Sequence, residues 1–533
     1  MRWSGRPSLG PLAVWRCLPL RLDRSNRRTR HANSMAAPPT RAGRQALLRV
    51  AIAVALLCST LSCVDSLAKI PTRHSTSVSL RDADLPSATG AARPDPSAPG
   101  AAPAPARREP FADSLATFPW PEGAQVLRFE DLEGAILVPA TLRSMSGRDT
   151  AGILVFDTGA GFLAVDVGLA GLLGIADSAV LAEPIALASR PLPRLQLGGL
   201  QFDQVSPVLT VDAGIVRRVT GRPVLGLLGQ SLLVGWLVVL DYSEGVLVML
   251  PSVSGDSAGP AARGAAGHAG RGAARPLPPP VLAGVLSPRA AAVPFSLEGD
   301  GKVVVRARVT GGAGGGSSSW LNLIVDTGAT KSVFFRSALD RALRGWTCWP
   351  AVHGLSAPTL TGDAGATVVR VPELVLDAGG RGVTRRDMDA AVIGGDLGRV
   401  LSGDVGQPVA GLLGYSFLKH FRVAMDFARG LLWLDPARGD VPDRPFEYSH
   451  VGLQLESVGD TARVAAVAVG SPAAEAGIRP GDRVLELDGE SVAGTDVVAL
   501  GRRLEGPPAT FISLTLVRDG REWTCRLARK RLL

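Results

Sequence analysis

The stretch "LIVDTGATKS", residues 323–332, has an earlier counterpart in "ILVFDTGAGF", residues 153–162, so Asp157 and Asp326 stand at equivalent places 169 residues apart. Each motif is entered by an apolar run. As a strand buried on both faces, that run delivers its aspartate at the rim of a core. Gly159 and Gly328 permit a tight turn after it, and the hydroxyls of Thr158 and Thr327 can bond backbone and stiffen that turn. A second pair of segments matches further on. "VLGLLGQSLLVGWLVVLDYSEGVLVML" from Val224 and "VAGLLGYSFLKHFRVAMDFARGLLWL" from Val409 align without gaps at an offset of 185, placing Gly229 on Gly414 and Asp241 on Asp426. One domain is therefore written twice, the second copy being sixteen residues longer between its two motifs. Each copy reads as an opening strand pair, a strand into Asp-Thr-Gly, a variable region, an apolar strand reaching Leu-Leu-Gly, and a closing hairpin.

Two carboxylates brought together cannot both ionise comfortably, so they share a proton, and one serves as acid while the other serves as base. Such a pair can activate a water and protonate a leaving amide nitrogen. With apolar-apolar-Asp-Thr-Gly-Ala and apolar-Leu-Gly in both copies, residues 125–251 and 291–437 resemble the aspartic proteases of the retropepsin-like bacterial branch. The resemblance implies a mainly β chain with two retropepsin/pepsin-like acid protease β-barrel lobes facing each other. It implies an aspartic-type endopeptidase working without a cofactor, with Asp157 and Asp326 as the catalytic pair and Thr158 and Thr327 clamping the lobe interface. Gly229 and Gly414 would let a neighbouring strand pass close behind each active loop. Flap hairpins are expected near 183–193 and 354–367. One departure stands out: the family's hydroxyl two places after the glycine, which commonly bonds the catalytic carboxylate, is present as Thr330 but replaced by Gly161 in the first copy. The rival reading is a binding protein with inactive lobes.

Residues 445–530 read differently. Ser471-Pro472 opens a short helix that Gly477 ends, 483–487 reads as a strand, and Asp496 caps a helix with Val497, Leu500 and Leu504 on one face. Asp519-Gly520 turns a hairpin between 511–518 and 522–527. This resembles a PDZ domain of the bacterial protease-associated kind, a β-sandwich with two helices. "HVGLQL", residues 450–455, matches the carboxylate-binding loop of that family. The resemblance implies that backbone N–H groups at Val451, Gly452 and Leu453 hold the C-terminal carboxylate of a peptide that adds as a strand. The apolar Val497 suggests an apolar last residue in that ligand.

The net charge of +9 is carried by the first 62 residues, which hold eleven Arg and one acidic residue, leaving a near-neutral body and no phosphate-binding footprint. A basic stretch ahead of the apolar run 50–61 reads as an export leader over 1–63, with Met35 as an alternative start. Cleavage before a lipidated Cys63 and ordinary cleavage after Ser62 both remain open. The run is too short to span a membrane, so membrane attachment is expected only through the leader or a lipid anchor, in the periplasm or cell envelope. Residues 64–120 and 252–290 are rich in Ala, Pro, Gly and Arg and read as disordered linkers. The domains expected are therefore lobe 1 over 121–251, lobe 2 over 291–437 and the PDZ domain over 445–530. The lobes pair either within one chain or between two chains of a homodimer. Cys348 and Cys525 fall in separate domains and the His residues are scattered, so neither a disulfide framework nor a metal site is expected. Protein or peptide substrates are the expected partners, with no nucleic acid.

Overall fold

The computed structural model describes residues 118–183, 185–252, 278–311, 315–359, 362–379 and 382–533. The leader, Cys63, and most of both linkers lie outside the described residues. The described chain is mainly β, and the two copies of the repeat meet in a shared sheet. Strands Gln125–Arg128, Val246–Pro251 and Trp236–Asp241 of the first copy are followed by Arg422–Asp426, Leu431–Asp435 and Ala291–Glu298 of the second. At the junction Val239 faces Ala424 across an antiparallel pair. These residues are equivalent in the repeat, so the pseudo-two-fold axis relating the lobes passes between them. The apolar clusters explain why the pairing is stable: Val239, Val246, Val248 and Ala424 pack with Trp433 in a common core.

Each lobe supports its Asp-Thr-Gly motif in the same way. Asp149–Phe156 runs parallel to Val224–Leu228 and antiparallel to Ala135–Arg143. Leu321–Val325 runs parallel to Gly411–Leu413 and antiparallel to Lys302–Thr310. The chain after each motif returns beside the same Leu-Leu-Gly strand, as Leu163–Asp166 and as Ser332–Phe335. The close return requires glycine. A Cβ on Gly229 would stand 2.0 Å from the Phe162 carbonyl oxygen, and one on Gly414 would stand 2.4 Å from that of Lys331.

Three sequence expectations are corrected. Residues 278–290 are not disordered: Leu282, Val285 and Leu286 are buried against the shared sheet, an apolar anchor that the surrounding Pro and Ala conceal. Phe118 and Trp120 also belong to the fold, both rings lying against the Arg422 guanidinium. Among the described residues, the first lobe has no hairpin at 183–193. Ile185–Leu187 pairs with Val208–Val211, whereas Leu192–Leu197 pairs with Leu200–Val205 and Ala135–Arg143, because Leu192, Leu195 and Leu197 are drawn into the lobe core. In the second lobe Ala351–Thr359 and Gly362–Leu376 do form a long hairpin around the expected position.

The C-terminal region is a sheet ordered Leu453–Val458, Thr461–Val467, Arg483–Leu487, Phe511–Arg518, Arg521–Ala528, with Leu453–Val458 at its edge. Its helices are Pro472–Glu475 and Val497–Leu504, capped by the side chains of Ser471 and Asp496 on the N–H groups of Ala474 and Val498.

Candidate active site

The pairing of the lobes brings Asp157 and Asp326 together at the interface, both fully buried. Their loops are near copies of each other across the pseudo-two-fold axis. The Thr158 N–H donates to Thr327 Oγ1 at 3.0 Å and the Thr327 N–H to Thr158 Oγ1 at 3.1 Å. Each hydroxyl then donates across the interface, Thr158 to the Val325 carbonyl at 2.8 Å and Thr327 to the Phe156 carbonyl at 3.0 Å. Asp157 Oδ1 accepts from the N–H groups of Gly159 and Ala160 at 2.8 and 3.1 Å, and Asp326 Oδ1 from Gly328 and Ala329 at 2.9 and 3.1 Å. Each carboxyl group lies over the other lobe's glycine. A Cβ on Gly159 would meet Asp326 Cγ at 2.6 Å, and one on Gly328 would meet Asp157 Cγ at 2.6 Å. Burial raises both carboxyl groups above the ordinary range, and for Asp157 the charge of Asp326 raises it further. The second oxygen of each, Oδ2, is buried without a hydrogen-bond partner, and two carboxyl groups buried side by side favour a state that holds one proton between them.

Outside this core the symmetry fails. Where Gly161 replaces a hydroxyl residue, the carboxylate of Asp300 fills the space, its Oδ2 only 2.2 Å from where a Cβ would stand. Asp300 in turn pairs with the buried Lys302. Thr330 does not bond the catalytic carboxylate as the resemblance implied, since its buried Oγ1 has no hydrogen-bond partner. Gln230 and Tyr415, equivalent in the repeat, each reach into the opposite lobe, Gln230 to the Gly301 carbonyl and Tyr415 to Asp131 at 2.9 Å. Thr330 also borders a polar cavity lined by Glu133, Lys331, Tyr415 and Arg502. Asp300, Lys302, Gln230 and Tyr415 escaped the sequence reading. The repeat alignment did place Gln230 opposite Tyr415, which is the signal that could have found those two.

In the C-terminal domain Val451, Gly452 and Leu453 form the turn into the edge strand. Gly452 takes φ +84°, and a Cβ there would meet Ser471 Cβ at 2.2 Å. Its N–H is not free for a carboxylate: it donates to His450 Nδ1 at 3.0 Å. Burial holds His450 down to about 4, so the ring is a neutral acceptor at neutral pH. The lobe 1 helix Gly214–Thr220 lies close to both the edge strand and the helix Val497–Leu504.

Comparison with known proteins bears mainly on this last region. A PDZ domain family model matches residues 463–518. A carboxyl-terminal-processing protease of Synechocystis sp. is 36% identical over 78 residues, 14% of this chain and 18% of that protein. A probable CtpA-like serine protease of Staphylococcus saprophyticus is 26% identical over 86 residues, 16% of this chain and 18% of that protein. The chain thus spans less than a fifth of the length of the curated relatives it matches. Among solved structures, the aspartic proteinase from Irpex lacteus is 13% identical, covers 58% of this chain and 97% of its own, and superposes with a TM-score of 0.33. That likeness is too distant to bear on mechanism. The relatives correct the enzyme class expected from the sequence. They are processing and serine proteases, so the assignment to the aspartic-type endopeptidases is overturned, while the C-terminal PDZ domain stands.

Proposed function

We propose that the chain is a PDZ-bearing protease exported from the cytoplasm, in which the Asp157–Asp326 pair does the acid–base work on a peptide bond. One observation carries this reading: the reciprocal threonine bridge that locks the two loops together, with each carboxyl group over the glycine of the opposite loop. A geometry this closely fixed suits a pair that must share a proton. In the ionised–protonated state one carboxylate can take a proton while the other can supply one, so acid and base are available at the same pH. The lobes of one chain complete the pair without a second chain. The PDZ domain supplies recognition of peptides through their C-termini. Export rests on the basic leader, and membrane attachment through Cys63 would follow from lipidation there.

The test is cleavage of a mixed peptide substrate by the purified chain, by its Asp157→Asn and Asp326→Asn forms, and by the chain after treatment with a serine-directed fluorophosphonate. Loss of turnover in both variants, with the reagent inert, is expected. Retained turnover in the variants and inactivation by the reagent would move the chemistry to a serine. If the leader is cleaved, mature protein recovered from cells lacks residues 1–62. Intact mass showing them still attached would remove the export reading.

A further inference from the structure

The helix Gly214–Thr220 belongs to lobe 1, between strands Val208–Val211 and Val224–Leu228, yet it lies close to both the edge strand and the second helix of the PDZ domain. We propose that this helix is an internal occupant of the groove, and that a peptide with an apolar C-terminal residue binds only by displacing it. The proposal deepens the PDZ-ligand reading given above and rests on it.

The contact is built from several independent parts. Val216 is fully buried and shares one apolar cluster with Leu453 and Leu455 of the edge strand and Val497, Val498 and Leu500 of the groove helix. The same Val497 was expected to meet the last side chain of a ligand, so the plug and the peptide compete for one apolar surface. Two residues beyond the plug, the Arg222 guanidinium bonds Asp496, the residue that caps the groove helix, and holds Glu130 of lobe 1 with its other edge at 2.6 Å. On the next turn of that helix Arg502 pairs with Glu133 at 2.7 Å, and Arg444 of the connecting segment bonds Glu133 at 2.6 Å. Across the edge strand, Gln454 exchanges two hydrogen bonds of 3.1 Å with the backbone of Ser356 on the long lobe 2 hairpin. The PDZ domain is therefore fastened to both lobes, with its groove facing inward.

The plug is a helix, however, and it presents no extended strand edge to pair with. Among the described residues no backbone hydrogen bond joins it to the stretch from Leu453 to Leu455. An extended peptide can bond that strand edge where the plug cannot. The resident contact is thus apolar and ionic, and the incoming ligand adds strand hydrogen bonds, which is the chemistry of an exchange. The occupied fraction lowers the apparent affinity for peptide in proportion to the open population. The exchange also reaches the candidate active loop, because the strand leaving the plug ends at Leu228, whose carbonyl accepts the Asp157 N–H at 3.1 Å.

The experiment uses the full chain with its native cysteines changed to serine. A fluorescein-labelled decapeptide ending in valine with a free carboxylate is the probe, and its C-terminal amide is the control. Arg222→Ala should bind the free-carboxylate peptide roughly three- to tenfold more tightly than the parent, the effect of losing one partly exposed ion pair that favours the closed state. An Arg222→Cys/Asp496→Cys form bridged by bismaleimidoethane should bind at least about tenfold more weakly than the same protein unbridged, since bridging removes the open population. Hydrogen exchange without peptide reports the contact itself: amides of 214–220 and 453–455 should lose protection in Arg222→Ala. If parent, opened and bridged forms bind the peptide within twofold of one another, the groove is not closed by this helix and the proposal falls, while the PDZ-ligand reading survives. If no form binds the free-carboxylate peptide although protection falls as expected, the ligand reading falls and the exchange falls with it.

Discussion

The two Asp-Thr-Gly loops agree to within a few tenths of an ångström in every hydrogen bond that touches a carboxylate or a bridging threonine. They part company two residues later, where Gly161 leaves room for Asp300 in one lobe and Thr330 fills its own space in the other. The difference separates two kinds of constraint. Where each half needs the other to hold a shared proton, the copies are locked to one geometry. Where each loop meets only its surroundings, they have been free to drift. Substitutions on either side of that boundary should therefore behave differently, equally in both lobes inside it and unequally outside.

The largest effect should come from the carboxyl groups. Asp157→Asn and Asp326→Asn should each lower kcat by at least about 10³-fold, and the double variant should be little worse than either single, because the two act as a unit. Stability should move the other way. Both carboxyl groups are raised by burial, so their contribution to stability is fully present below the ordinary carboxylate range near pH 4 and is lost as pH rises through their elevated values. Each Asn variant should match the parent in thermal melts at pH 3 and melt at a higher temperature than the parent at pH 7. Parent and variants that keep the same spacing at both pH values would mean that the pair is not strained as described.

Much of this symmetry could be read before any coordinates. The motifs, the gapless alignment after Leu-Leu-Gly, the hairpin turns and the Asp496 cap are local patterns, and local patterns survive in sequence. What stayed hidden depends on pairs of segments that share no motif. Nothing near Gly161 announces Asp300, nothing near Arg222 announces Asp496, and a helix of seven residues, Gly214–Thr220, is too short to advertise the groove it fills. Composition misled at 278–290, where a Pro- and Ala-rich run carries Leu282, Val285 and Leu286 into the core. The lobe 1 flap was misplaced because a resemblance supplies an average lobe, and Leu192–Leu197 is used here for the barrel.

Inside the boundary, the threonine bridge should be the next most sensitive feature. Thr158→Val and Thr327→Val keep the shape but each orphans a buried N–H and a buried carbonyl. Each should lose roughly 2–4 kcal/mol in urea titrations. The two losses should agree within about 0.5 kcal/mol, and the double variant should lose less than their sum, since the residues share one network. Unequal losses would break the claim that the core is held alike from both sides.

Outside it, Gly161→Ser should be destabilised by roughly 2–3 kcal/mol, because the new side chain and the Asp300 carboxylate claim one buried volume. Asp300→Ala is itself harmful, since it strands the buried Lys302. Combined with Gly161→Ser it should be less so than the two single losses predict, and a double-mutant cycle measures the coupling directly. Strict additivity would mean that Asp300 does not occupy the missing hydroxyl's place.

The smallest effect is expected at the matching position of the other lobe. Thr330→Val removes only a hydroxyl, and that hydroxyl is buried without a hydrogen-bond partner. Removing an unpaired buried polar group should leave stability unchanged or raise it by up to about 1 kcal/mol. Turnover should change by less than about threefold, because the carboxylate oxygen of Asp326 that does accept hydrogen bonds takes them from Gly328 and Ala329 rather than from Thr330. Urea titration and kcat on one short peptide check both halves. A tenfold fall in kcat with intact stability would show that the hydroxyl turns onto the carboxylate during the reaction. The two lobes would then differ in chemistry, with Gly161 marking the half that does without it.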